Sequence, residues 1–154
     1  MTAISWIKRK PVAHRGLHDG NKKVWENTLG AFSAAMKRGF PIECDLHLTR
    51  DGVPVVFHDS PLKRLTGEDG YARDLTAKQM CALHIGGTAE RVPTLDEMLA
   101  HVGGKVPLVI ELKGDEGHDD GLVKSVGTSL SKYRGKAAIM SFDHHLIRQF
   151  GKHA

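Results

Sequence analysis

Residues 43–59, ECDLHLTRDGVPVVFHD, decide how this chain is read. They form two extended runs, Ile42 to Thr49 and Val53 to His58, joined at Asp51-Gly52, a pair that readily takes positive φ. Side chains alternate between the faces of a strand, so Glu43, Asp45 and His47 share one face while Cys44, Leu46 and Leu48 line the other. Two carboxylates one pleat apart raise each other's pKa, and burying them unpaired is costly, so a positive group belongs between them. A divalent metal meets that need. The competing reading is a solvated strand face with both acids in water. The neighbouring run VPVVFHD argues against it, because it delivers a buried strand ending in His58-Asp59.

Working outward, Lys10 to Arg15 reads as a first strand that ends abruptly in polar His14-Arg15-Gly16. Gly16 to Glu26 is loop-like. Asn27 offers an N-cap to a helix over Thr28 to Arg38, closed by Gly39. Beyond the organising stretch, residues 60–75 read as an irregular loop, followed by a short helix from about Thr76 to Leu83. Thr94 and Glu97 form a capping box for a helix over Leu95 to Val102. Val106 to Leu112 is an apolar run suited to a parallel strand buried on both faces. An acidic loop, a helix over Leu122 to Tyr133, a further buried strand over Lys136 to Phe142 and a last helix after Asp143 complete the order.

This alternation predicts an α/β fold with a parallel sheet. Strands that end in charged residues, at His14-Arg15 and at Glu111 to Lys113, resemble a TIM-type (β/α) barrel with its site at the strand C-termini. The 154 residues suffice for four βα units, with a hairpin and loop insertion after the second strand. A full barrel of that type takes about 250 residues.

Charged residues make up 26% and hydrophobic ones 40%, a globular composition. The 22 Lys and Arg are dispersed, and a net charge of +4 favours an anionic partner without pointing to nucleic acid. Cys44 and Cys81 follow no metal spacing and suit a reducing compartment. No apolar run reaches eighteen residues and no apolar leader precedes the N-terminal basic residues, so a cytoplasmic protein without membrane insertion is expected.

The rim residues combine three carboxylates (Glu43, Asp45, Glu111), two histidines (His14, His58) and two cations (Arg15, Lys113). Three oxygen donors suit calcium or magnesium better than zinc. Two histidines fit an acid and base pair, and Arg15 and Lys113 supply the charge a phosphate needs. Together they spell metal-assisted phosphodiester cleavage.

These residues also resemble the glycerophosphodiester phosphodiesterases. The likeness runs through AHRG at 13–16, ENT at 26–28, ExD at 43–45, TRDGVPVVFHD at 49–59, LxRLTG at 62–67, VPTLDE at 92–97 and ELK at 111–113. The resemblance implies a TIM-type barrel that hydrolyses glycerophosphodiesters to an alcohol and glycerol 3-phosphate. It implies Glu43, Asp45 and Glu111 as metal ligands, His14 and His58 as general acid and base, and Arg15 and Lys113 as phosphate contacts. It further implies that the neighbouring glycerol hydroxyl attacks phosphorus, giving a cyclic phosphate that water opens. The length departs from the family, so residues 1–154 are expected to form a partial domain, truncated at the C-terminus, with open barrel edges prone to self-association. A phospholipase D-like or phosphatidylinositol phospholipase-like barrel and a non-catalytic phosphate-binding module are the alternatives.

Overall fold

Every residue of β1, Ile42–Leu48, is buried. The computed structural model describes residues 5–153, and in it β1 lies inside a four-stranded sheet of order β2-β1-β3-β4. On one side β1 pairs antiparallel with β2, Pro54–Val56, across the Asp51-Gly52 turn. On the other it pairs parallel with β3, Leu108–Leu112, which pairs parallel with β4, Ala137–Met140. Parallel neighbours need long crossovers, and the helices supply them. In the parallel register Asp45 stands opposite Glu111, and Glu43 opposite Val109. That register, with the two-residue period of a strand, brings the three carboxylates to one face of the sheet.

The other face is apolar. Cys44, Leu46, Ile110 and Leu112 are fully buried there with Phe32 and Ala35 of α1, Leu29–Arg38, and Met98 and Val102 of α4, Leu95–Val102. Leu122 and Val126 of α5, Leu122–Ser131, extend this core, and α6, His144–His153, packs against α5. The expected last helix reached Ala154, which lies outside the described residues. Thr94 and Glu97 make the expected capping box on α4, each satisfying an otherwise unpaired main-chain N–H.

Four expectations are corrected. The first strand, Lys10 to Arg15, is a single parallel bridge between Ala13 and Ile42. Pro11 has no N–H to give, and Arg15 already turns at φ 56°, so only Ala13 keeps both ladder bonds, to Pro41 and from Glu43. The N-cap of α1 is Thr28, whose hydroxyl accepts from the Ala31 N–H, and not Asn27. Residues 60–75 are more ordered than an irregular loop: α2, Lys63–Thr66, and a 3₁₀ turn at Ala72–Asp74 share a second core with α3, Ala77–Cys81. Phe57, Leu62, Leu65 and Met80 are its centre. Finally, β4 is not a buried strand. Among the described residues it has one neighbouring strand, its residues are exposed or half-buried, and Phe142 just beyond it is 78% exposed.

Beside β4 lies an apolar basin of about 510 Å³ whose walls include Val12, Val109, Ile139 and Met140, with His14 and Glu43 bordering it. Among the described residues, no helix is long and apolar enough to cross a membrane.

Candidate active site

Glu43 and Asp45 from β1 and Glu111 from β3 each bring an oxygen to within 4.8 Å of the others, and all three residues are buried. Burial first, then the charge of Asp45, raises the pKa of Glu43 to about 7 despite a hydrogen bond from the Arg15 main-chain N–H at 2.9 Å. Two cations face the cluster. Lys113 Nζ donates to Glu111 Oε1 at 2.8 Å and lies 3.4 Å from Asp45 Oδ1. Burial pulls the Lys113 pKa down, but the Glu111 hydrogen bond and the Asp45 charge outweigh it and leave it raised. Arg15 Nε lies 3.5 Å from Asp45 Oδ2.

The site still has bare polar atoms. Among the described residues, Asp45 Oδ1, Asn27 Oδ1 and Arg15 Nε are buried with no hydrogen-bond partner, the Lys113 approach to Asp45 being an ion pair without hydrogen-bond geometry. Buried polar atoms without hydrogen bonds are costly. Three convergent carboxylates and a spare amide oxygen fit a hard divalent cation, and Glu43, Asp45 and Glu111 can hold one.

The backbone that carries Arg15 is bent to purpose. Arg15 and Asn27 both take left-handed conformations, φ 56° and 54°, and the Asn27 N–H donates to the Arg15 carbonyl at 2.8 Å. Such conformations cost a non-glycine residue about 1 kcal/mol or more, least for Asn. Gly16 follows at φ 80°, and a Cβ there would stand 2.7 Å from that of Ala31. The HRG motif therefore needs its glycine where the chain turns against α1.

Of the two expected histidines, His14 borders the cluster and His58 follows the strand paired with β1. His14 is exposed, its Nε2 is 3.9 Å from Glu43 Oε2, and desolvation with the Arg15 charge lowers its pKa. His58 is set by β2: the Phe57 N–H donates to the Asp45 carbonyl at 3.0 Å, and buried His47 donates from Nε2 to the His58 carbonyl at 2.8 Å. His58 Nδ1 donates to Asp59 Oδ1 at 2.7 Å, which leaves Nε2 as the proton-accepting nitrogen. His47, shared-face neighbour of the two acids, thus serves the main chain rather than the cluster.

Sequence reasoning passed over Glu26, Asn27, Asp59 and Arg64. Asn27 Nδ2 donates to Asp45 Oδ2 at 3.0 Å, so its amide belongs to the cluster instead of a helix cap. Glu26, 3% exposed, accepts from Asn21, Arg15 and Arg64. Burial pushes its pKa up, but the hydrogen bonds from Arg64 and Asn21 win and hold it at about 2. The motifs ENT and LxRLTG contain these residues, yet no spacing rule joins Glu26 to Arg64.

The family model of the glycerophosphoryl diester phosphodiesterases matches residues 14–154. The chain belongs to this family. A glycerophosphodiester phosphodiesterase of Caldanaerobacter subterraneus subsp. tengcongensis is 35% identical over 96% of the chain and 64% of its own length. Among solved structures, the glycerophosphodiester phosphodiesterase of Agrobacterium tumefaciens superposes with a TM-score of 0.77 at 30% identity, over 92% of this chain and 61% of that one. A phosphodiesterase of Oleispira antarctica, solved in complex with the product sn-glycerol-3-phosphate, gives 0.81 at 28% identity, over 92% and 60%. The chain thus spans about three fifths of the length of these family members. The ordered motifs that carried the resemblance and the whole-chain match agree on the family.

Proposed function

We propose that this site hydrolyses glycerophosphodiesters to an alcohol and glycerol 3-phosphate, with calcium or magnesium held by Glu43, Asp45 and Glu111. The observation that carries the proposal is the gathering of these three buried carboxylates within 4.8 Å, bordered by His14 and by Arg15 and Lys113. The product bound by the Oleispira antarctica relative supports the substrate class. A bound divalent cation would neutralise the carboxylates and polarise a phosphoryl oxygen.

The chain's own groups divide the remaining work. Arg15 and Lys113 offer cationic donors to the non-bridging phosphate oxygens. His58, with Nδ1–H fixed on Asp59, presents Nε2 to take a proton from the attacking hydroxyl. Exposed His14, 3.9 Å from Glu43, gives a proton to the departing alkoxide. The described sheet and helices form, on this reading, the first four βα units of a (β/α) barrel, with β2 and residues 60–92 inserted after the second strand.

The test is release of glycerol 3-phosphate from glycerophosphocholine by this chain with calcium, with magnesium and with EDTA. Turnover that depends on the cation is expected, and equal turnover in EDTA would refute the metal assignment. The apolar basin bordered by His14 and Glu43 favours a second reading, a diester with a lipid chain. Faster cleavage of lysophosphatidylcholine than of glycerophosphocholine would decide for it.

A further inference from the structure

The guanidinium of Arg64 makes four hydrogen bonds to two carboxylates. Nε and Nη2 take Asp59 Oδ2 and Oδ1, each at 2.8 Å, and Nη1 and Nη2 take Glu26 Oε2 and Oε1 at 3.0 and 2.8 Å. Both of those carboxylates reach the candidate site. Asp59 Oδ1 accepts from His58 Nδ1, and Glu26 Oε1 accepts from Arg15 Nη1 at 3.0 Å. Arg15 in turn lies 3.5 Å from Asp45. A continuous chain of polar contacts therefore runs Asp45, Arg15, Glu26, Arg64, Asp59, His58, with Arg64 in the middle.

We infer that Arg64 is a positioning residue that orients His58 through Asp59 and Arg15 through Glu26, fixing the proton-transfer and phosphate-binding groups in one frame. The inference rests on the functional reading above for the roles of those two groups. An arginine whose side chain is 45% exposed would ordinarily be a surface ion pair of little consequence. Here one partner is 3% exposed, and both carboxylates are gripped in fork geometry. Only a planar guanidinium has donors enough for this, so lysine cannot replace it. The Arg64 hydrogen bonds hold the Asp59 carboxyl far below its usual range, so Asp59 stays an acceptor and the proton between it and His58 stays on Nδ1. Without Arg64, the Asp59 carboxylate is free to turn into water and His58 loses its fixed tautomer.

The experiment compares the whole chain with Arg64→Met and Arg64→Lys. The ¹⁵N imidazole shifts of His58 at pH 8.5 report its tautomer without requiring turnover, and kcat and KM on glycerophosphocholine are measured in parallel. The wild type is expected to show one tautomer, with hydrogen on Nδ1. Both variants should show a mixture, and both should lose roughly 10- to 100-fold in kcat, the usual effect of removing a group that orients a reacting one. KM should rise as Arg15 loosens. An unchanged tautomer in either variant overturns the inference, as does wild-type behaviour of Arg64→Lys, which would reduce Arg64 to a bare charge. If Arg64→Met fails to fold, Arg64→Lys, which keeps a cation against Glu26, decides alone. A shifted tautomer in a chain with no turnover upholds the positioning role and refutes the proposed hydrolysis, so the two claims fail separately.

Discussion

Glu43→Gln should change how the metal-free chain responds to pH. An ordinary glutamate titrates near 4.5, whereas burial and then the Asp45 charge put Glu43 at about 7 in the folded protein. Below 4.5 the carboxyl is protonated in both the folded and unfolded states. Between 4.5 and about 7 the folded chain keeps a proton that the unfolded chain has released, so stability falls as pH rises through this window and levels off above it. At about 1.4 kcal/mol per pH unit, the total loss is about 3 kcal/mol. Glutamine cannot titrate, so Glu43→Gln should lack this decline. Burial lowers the pKa of His47 and desolvation that of His14, which makes stability rise with pH in an overlapping range. The His47 contribution is common to wild type and variant and cancels in the difference, while that of His14, 3.9 Å from Glu43 Oε2, is taken out by making both measurements in a His14→Gln background. The assay is urea unfolding in EDTA from pH 4 to 8.5, read as variant minus wild type. The difference should grow in favour of the variant by about 3 kcal/mol across the window. Saturating calcium or magnesium should remove the wild-type decline, since a cation binds the ionised carboxylate in the folded state only. A difference that stays flat between pH 4.5 and 7 would refute the account of Glu43 as a carboxyl confined among like charges.

His58→Ala should abolish turnover yet leave calcium binding by calorimetry nearly unchanged, because Nδ1 is held by Asp59 and His58 is not among the groups that converge as metal ligands. Parallel loss of binding would reassign it. Glu26→Gln should flatten the acid limb of stability: the wild-type carboxyl is held at about 2, so its contribution is present above 4.5 and is lost as pH falls toward 2. Acid titration by circular dichroism with and without the substitution checks this. Gly16→Ala should cost about 2 kcal/mol or more in urea unfolding, from a Cβ at 2.7 Å from Ala31 and a φ of 80°.

Much of this was legible because it is local. A two-residue period put Glu43 and Asp45 on one face, an apolar run placed Glu111 in a buried neighbouring strand, and Thr94 with Glu97 announced a helix start. What escaped depends on distant partners. Asn27 and Thr28 are both favoured cap types, Asn the more so, and the Asn27 amide is instead taken by Asp45, 18 residues away. Arg64 and Glu26 are separated by 38 residues, with no periodicity to join them. The strand at Ala13 shrank partly at Pro11, which the sequence shows, and partly at the left-handed turn that aims Arg15 at Asp45, which it does not. The exposure of β4 likewise depends on what stands beside it, which the run AAIMSF does not say.

The left-handed residues Arg15 and Asn27 also bear on how this protein can be improved. Each stores backbone energy that a glycine would release, and each earns its place through a side chain aimed at Asp45. That release, about 1 kcal/mol, is outweighed by what the lost side chain leaves behind, since the buried oxygens of Asp45 and Glu26 would each lose a donor. A glycine at 15 or 27 therefore gains nothing in heat resistance, and a stabilising screen of this chain should leave both residues as they are.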